Sequence, residues 1–337
     1  MQSMKTLCKA KLRLFITLLL GLSCFTACGC GTSPGKEDIN KRDIKPLNRN
    51  PTPKNDQAIV LFHGLGDPVS ALDDVKKELA AALKDTEIVA FQRDEQQGIT
   101  AQANKIYQEL QDQGLHQKEL VFLGISAGGV VAIEVLNQHP ELQKNLKLII
   151  PYHSPLEGAP IAKHGVMVEN LATQLEGMLR QIGQPGLAQS VGGIMVDTFK
   201  NITQARAAND LVPNSTFMVN FKANLSKVKV PILALAGTKS NFESFIQSFC
   251  DPVLKELRQD LGTSTITGIL VLLDDPFSRL IGAKEHDALL PESSQLAKNI
   301  SNNHIERIKQ EGVNHFIRIT PKVMDKIVKR IKACFNK

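Results

Sequence analysis

The chain has 337 residues, is 42% hydrophobic and carries a formal net charge of +6. It is long enough for one large α/β domain or two small ones, and apolar enough to bury a sizeable core. Four of its basic residues (Lys5, Lys9, Lys11, Arg13) stand in the first 28 positions with no acid among them. The near-neutral remainder has no basic tract for nucleic acid, and with no Trp and two Tyr it has no aromatic platform for stacking bases.

In chain order, the basic start precedes Leu14-Phe15-Ile16-Thr17-Leu18-Leu19-Leu20-Gly21-Leu22. This run is too short for a comfortable membrane span and reads as a secretory signal over residues 1–28. It ends in Phe25-Thr26-Ala27-Cys28. Small residues before a Cys resemble a bacterial lipobox, which makes Cys28 the candidate for lipidation, with Cys24 and Cys30 as competitors. The expectation is an exported protein held at the bacterial envelope by a lipid anchor, with simple secretion as the alternative. Residues 29–56 are polar and include Asn50-Pro51-Thr52-Pro53. Such a stretch cannot bury a core and reads as a flexible tether. Of the six cysteines only Cys250 and Cys334 lie in the body. They allow a disulfide in an oxidising compartment, and no zinc-like spacing occurs.

From residue 57 to 337 the pattern alternates. Strands are expected at 57–62, 86–91, 119–123 and 145–152, and helices at 69–84, 99–113 and 128–138. Strands alternating with helical stretches imply an α/β fold, a mainly parallel sheet with helices on both faces. Residues from about 160 to 215 carry helical spacing and no strand, and are expected to form a helical cap inserted at the rim where ligands bind. A strand pattern resumes at 230–237. A second apolar run covers 265–273, Asp251 before Pro252 reads as a helix start, and an amphipathic helix covers 321–335.

Ser126 lies in Gly124-Ile125-Ser126-Ala127-Gly128, between the apolar run Leu120–Leu123 and a helix-compatible stretch. This is the strand–turn–helix context of a nucleophile elbow, in which the glycines remove side chains that would clash with the adjoining strand and helix. Upstream, His63-Gly64-Leu65-Gly66-Asp67 follows the strand-like Ala58–Phe62. There the backbone N–H of Leu65 is expected to face a developing oxyanion, opposite the N–H of Ala127. The other reading, a phosphate-binding loop, lacks the Gly-Lys-Ser/Thr it needs.

A Ser hydroxyl needs a base, and the base needs an orienting carboxylate. His315, in Gly312-Val313-Asn314-His315-Phe316 just before the last helix, fits the order Ser, acid, His, whereas His304 sits in a polar stretch and reads as exposed. Asp287 is the candidate acid, with Asp274 and Asp275, at the end of the 265–273 apolar run and so suited to a position after a strand, as alternatives. His286 reads as a neighbour of the acid.

Together these segments resemble the α/β-hydrolase superfamily, in particular the group containing bacterial triacylglycerol lipases and GPI inositol-deacylase-like proteins. The likeness includes Ser154-Pro155-Leu156-Glu157-Gly158-Ala159-Pro160, similar to the segment that opens the cap there. It also includes Asp210-Leu211-Val212-Pro213-Asn214-Ser215, similar to the segment that closes it, and Asp287-Ala288-Leu289-Leu290-Pro291, similar to the acid motif. Leu156 stands where that group has His, and Ala288 where it has Gly. The His-Gly-Leu-Gly-Asp start also resembles acyl-protein thioesterases, which lack such a cap. The resemblance implies an α/β-hydrolase fold and hydrolysis of acyl-lipid esters by Ser126, His315 and Asp287, with no metal or organic cofactor. A thioesterase with the same triad, and an inactive surface lipoprotein binding a partner through the cap, remain as alternatives.

Overall fold

The computed structural model describes residues 56–163, 165–181, 188, 193, 196, 205–238, 240–316 and 319–336. The leader, Cys28 and the tether lie outside the described residues, as does the side chain of Cys250.

Six strands form one sheet: β1 (Gln57–Phe62), β2 (Glu87–Ala90), β3 (Glu119–Ile125), β4 (Leu146–Tyr152), β5 (Ile232–Thr238) and β6 (Ile305–Glu311). Their order is β2-β1-β3-β4-β5-β6, and every neighbouring pair is parallel. A parallel sheet must be covered on both faces, so its strands read as near-continuous apolar runs. Side chains of β1 and β3 alternate between two cores. Ala58, Val60, Phe62, Leu120 and Phe122 face one, and Ile59, Leu61, Val121 and Leu123 the other. The first core is closed by α2 (Ile99–Asp112) and α3 (Ala127–Gln138), the second by α1 (Asp73–Ala82) and α10 (Pro321–Phe335). α10 buries Val323, Met324, Ile327 and Ile331 on one stripe. Each such side chain contributes about 1.5–3 kcal/mol relative to exposure.

Between β4 and β5 the described residues hold α4 (Gly165–Gln181), α5 (Arg206–Asp210) and α6 (Thr216–Leu225), and no strand. The two ends of this excursion meet. The Ala159 N–H donates to the Leu211 carbonyl at 2.8 Å. A Cβ on Gly158, whose φ is 99°, would lie 2.6 Å from Pro213 Cα. Asp210 turns back toward the sheet and accepts from the Ile99 N–H at 2.7 Å at the start of α2.

Three details differ from the sequence expectation. The apolar run at 265–273 lies inside a helix, α8 (Thr263–Ile281). Ile266, Leu270, Leu273 and Phe277 are buried at helical spacing, while Val271 and Leu272 are 58% and 67% exposed. Asp251 does not start a helix. It lies within α7 (Phe242–Leu261), which begins instead at a capping box of Asn241 and Ser244. β6 went unanticipated. Its sequence, IERIKQE, buries only its first residue and Gln310, and seven register pairs with β5 hold it at the sheet edge.

Candidate active site

The strand order reverses between β1 and β3, since β2 lies to one side of β1 and the rest of the sheet to the other. Ligands of open α/β sheets bind outside the carboxyl ends of the strands at such a switch point. His63–Asp67 leaves β1 there, and the Ser126 turn leaves β3 beside it.

Ser126 has φ 53° and ψ −128°, a region that costs a side-chain-bearing residue of order 1–3 kcal/mol. The surrounding glycines make the turn possible. A Cβ on Gly124 would lie 2.4 Å from the Gly129 nitrogen, one on Gly128 would lie 2.3 Å from the Phe62 carbonyl oxygen, and one on Gly129 would lie 2.1 Å from Ser154 Oγ. Gly64 permits the other approach, since a Cβ there would come within 3.5 Å of Ser126 Cβ and 2.5 Å of the Asp67 carboxylate.

Three loops converge on the serine. His315 Nε2 lies 3.0 Å from Ser126 Oγ, and His315 Nδ1 lies 2.8 Å from Asp287 Oδ2. The backbone fixes the same pair, because the His315 N–H donates to the Asp287 carbonyl. Asp287 is wholly buried. Its Oδ1 accepts from the N–H groups of Leu289 (3.0 Å) and Leu290 (2.7 Å). Burial pushes the Asp287 carboxyl up. The charge and hydrogen bond of His315, with His153 and the Leu290 N–H, outweigh this and hold it below its ordinary value. The carboxylate therefore stays ionised beside the imidazole. Gln295, the last residue of the short helix α9 (Glu292–Gln295), ties its loop to the sheet, accepting from the Gly237 N–H at 3.0 Å and donating to the Leu290 carbonyl at 3.1 Å. Ala288 has φ 77°, which accounts for the glycine in the resembling motif.

The alternative acids are elsewhere. Asp274 caps the start of α7, accepting from the Phe242 N–H at 2.7 Å, and Asp275 pairs with Arg279 on the surface of α8. Neither follows a strand. His286 is buried, accepts on Nδ1 from the Ala288 N–H at 3.1 Å, and meets Ser278 Oγ through Nε2 at 3.2 Å. His304 is exposed.

Ala127 opens α3, so its N–H is one of the donors a helix start leaves unsatisfied. Neither it nor the Leu65 N–H has a hydrogen-bond partner among the described residues. Leu65 lines a cavity of about 920 Å³ that also touches Ser126, the residue before Ala127, and His315, Leu211, Leu290, Phe316 and Met324. Its wall is mainly apolar, as is usual in small-molecule sites, and besides Ser126 and His315 its polar lining includes Asp67, Asp74, Lys77 and Glu78. In that lining, loss of hydration raises the Asp67 carboxyl against the pull of His315.

Sequence reasoning missed the groups behind the first loop. Arg93, 5% exposed, donates to Gln102 Oε1 at 2.8 Å, to the Gly64 carbonyl at 3.2 Å and to the His63 carbonyl. Burial lowers its pKa to about 10. His63 is buried against it, and burial followed by the Arg93 charge pushes His63 down to about 4. Its Nδ1 lies 2.9 Å from the Gly64 carbonyl. Both oxygens of Glu95 accept from the Gly66 N–H at 2.8 Å. The loop that carries Leu65 is thus braced from beneath by a buried guanidinium. Among the described residues, His153, Asp287 and His315 form the cluster whose donor atoms are close enough, within 4.8 Å, to share a cation. Two of the three already form the pair that faces Ser126.

No known protein-family profile and no curated protein matches the chain. Solved structures do. The mature form of a Bacillus licheniformis lipase is 17% identical, with a TM-score of 0.47 over 85% of this chain and 95% of that one. An esterase of Exiguobacterium antarcticum is 14% identical, with a TM-score of 0.48 over 83% and 92%. A Rhodococcus esterase is 15% identical, with a TM-score of 0.45 over 82% and 89%. Its own six-stranded parallel sheet, the elbow after β3 and the chain order Ser126, Asp287, His315 give this polypeptide the α/β-hydrolase fold.

Proposed function

We propose that the protein is a serine hydrolase that cleaves carboxylic esters of acyl lipids. The observation that carries this reading is the Ser126–His315–Asp287 chain of contacts, 3.0 and 2.8 Å long, whose Ser126 and His315 line a mainly apolar cavity. His315 Nε2 takes the Ser126 proton as Oγ attacks the ester carbonyl. The Leu65 and Ala127 N–H groups receive the oxyanion of the tetrahedral intermediate. His315 then returns the proton to the departing alcohol and leaves an acyl-enzyme, which water hydrolyses by the same relay. Asp287 holds the imidazole with its proton on Nδ1 throughout. The excursion between residues 160 and 215, whose described part includes α4 and α5 and whose ends meet at Gly158 and Pro213, is the cap over the acyl chain.

The test is activity profiling of the purified protein on esters of graded chain length, alongside Ser126→Ala and a fluorophosphonate probe. Ester turnover and labelling that both disappear in Ser126→Ala support the reading. Faster turnover of matched thiol esters would reassign the protein as a thioesterase, and absence of label on a folded protein would make it a binding lipoprotein.

We also propose attachment to the bacterial envelope through lipidated Cys28. Support comes from the apolar run and small residues before it; among the described residues no helix is long and apolar enough to cross a membrane. A lipoprotein modification would supply the two or more acyl chains that stable anchoring needs, and the stretch 29–56, if it is a flexible coil, would span about 25–30 Å. Cys28→Ser should abolish incorporation of a palmitate analogue. Wild-type protein that takes up no label and fractionates as soluble refutes the anchor.

A further inference from the structure

His153 has no part in the steps above. It directly follows Tyr152, the last residue of β4, and its backbone is left-handed, with φ 49°. That conformation costs a residue with a Cβ about 1–2 kcal/mol. Its ring is fully buried and stacks on Tyr152, with centroids 4.0 Å apart and planes 9° apart. Among the described residues neither ring nitrogen has a hydrogen-bond partner. Burying polar nitrogens in this way is a second cost at the same residue. A glycine would relieve the first and a phenylalanine the second. Local costs of this kind persist where the surroundings use them.

The neighbour that uses them is Asp287. Its Oδ1 is occupied by two backbone N–H groups, and its Oδ2 meets His315 Nδ1 at 2.8 Å. His153 Nδ1 lies 3.5 Å from that same Oδ2. Gly237 leaves the space for this meeting, since a Cβ there would lie 2.9 Å from His153 Cε1 and 3.0 Å from Asp287 Cβ. Burial drives protonation of the His153 ring down to about 3, against the attraction of Asp287, so the ring is neutral and carries one proton. On Nδ1 that proton points at the carboxylate. On Nε2 it would leave the Nδ1 lone pair facing a negative oxygen. Electrostatics at this distance in a dry interior selects the first tautomer.

We propose that His153 is a positioning residue for Asp287. Its Nδ1–H dipole shares Oδ2 with His315, fixes the carboxylate and draws off part of the negative field that stabilises a protonated His315. This inference rests on the Ser126–His315–Asp287 relay proposed above. Other ionisable groups face the relay. Tyr152 lies under the His153 ring on β4, where burial and then the Asp287 charge raise its phenol. Asp67 faces His315 from the loop after β1, with Arg93 behind it. None of these changes in the variants below.

Two substitutions in the full-length protein separate donor from shape. His153→Phe keeps a flat ring and loses the N–H. His153→Asn places an amide N–H where Nδ1 stood and tolerates a left-handed backbone. The readout is the pH profile of the rate at which a fluorophosphonate labels Ser126, together with the low-field proton resonance of His315 Nδ1–H. In His153→Phe the unshared carboxylate holds the His315 proton more tightly. The acid limb should move to higher pH by about half a unit or more, a threefold change in proton affinity, and the low-field resonance should shift. In His153→Asn both should stay close to wild type. Profiles of His153→Phe and wild type that coincide overturn the proposal, and so do equal shifts in both variants. Wild-type protein supplies a reading that needs no variant. The ring ¹⁵N shifts of His153 at neutral pH should report the Nδ1–H tautomer, and an Nε2–H tautomer overturns the proposal. Wild-type protein that takes no label at any pH would instead overturn the hydrolase reading itself.

Discussion

Replacing Asp287 by Asn tests the relay at its most buried point. The two side chains are nearly the same size, so packing is preserved. What changes is hydrogen-bond polarity. Oδ1 already accepts from the N–H groups of Leu289 and Leu290 at 3.0 and 2.7 Å. An Asn must keep its carbonyl oxygen there, or it would set an amide N–H against two others. Its NH₂ group then faces His315 Nδ1, which sits 2.8 Å from the present Oδ2. His315 can meet that donor only by accepting on Nδ1, which moves its proton to Nε2, toward Ser126 Oγ at 3.0 Å. A base already carrying a proton on the working nitrogen cannot take another. Inversions of this kind lower turnover by about 10⁴ in a serine protease, or about 5.5 kcal/mol of transition-state stabilisation. The assay is steady-state hydrolysis of a chromogenic short-chain ester, with thermal unfolding to show that the variant folds. Folded Asp287→Asn protein retaining more than a tenth of wild-type kcat refutes the tautomer argument. A collapse in Asp274→Asn or Asp275→Asn with Asp287→Asn active would refute the assignment of the acid.

Ala288→Gly should stabilise the protein by roughly 1 kcal/mol, because φ 77° strains alanine and not glycine; denaturant unfolding that shows a loss contradicts this. Arg93→Met leaves the Gly64 and His63 carbonyls and Gln102 without their donor. A loss of about 2–4 kcal/mol is expected, with kcat falling about tenfold and KM little changed as the Leu65 loop loosens. Lost stability with unchanged kcat would dissociate Arg93 from that loop. Glu292 is 1% exposed and lies 2.6 Å from Lys298 and 2.9 Å from Lys309. Burial raises its carboxyl, but the two lysines bring it down to about 2. Because the folded-state value is the lower one, the stabilisation is complete above the unfolded value of about 4.3 and is lost as pH falls toward 2. Glu292→Gln should be less stable than wild type at pH 7, by on the order of 1–3 kcal/mol, and the gap should close through that window. A gap at pH 2 equal to that at pH 7 contradicts the ion-pair account.

Elements whose identity rests on local periodicity were legible in the sequence. Residues 57–62 and 321–335 fold over the expected spans, and the strand expected at 119–123 runs on to Ile125 at the elbow. The serine, acid and histidine candidates could be picked out because each lies in a short segment whose chemistry is local. β6 was hidden because an edge strand buries one flank only. Glu306, Arg307, Lys309 and Glu311 leave no apolar alternation to see, and register with β5 does the work. α8 was obscured because its β-branched, apolar start resembles a strand. The period that betrays it, Ile266, Leu270, Leu273 and Phe277, needs the full helix length to show. Arg93 and His153 gave no signal at all. Arg93 matters through contacts about thirty residues back along the chain, and His153 through an acid on a distant loop.

The contact between Ser126 and His315 spans 189 positions of the chain. Closing a flexible loop of that size costs roughly 4–5 kcal/mol in chain entropy before any contact repays it. Helical segments such as α3 and α10 hold their internal hydrogen bonds without that closure, whereas the relay does not. The proposed activity is therefore the most fragile readout of this molecule's integrity. On heating or in denaturant, ester turnover should vanish while far-UV ellipticity is still largely intact, as the segment carrying His315 leaves the carboxyl end of the sheet. A residual rate then reports the fraction of molecules with that last piece docked, and serves as a local clock for its opening.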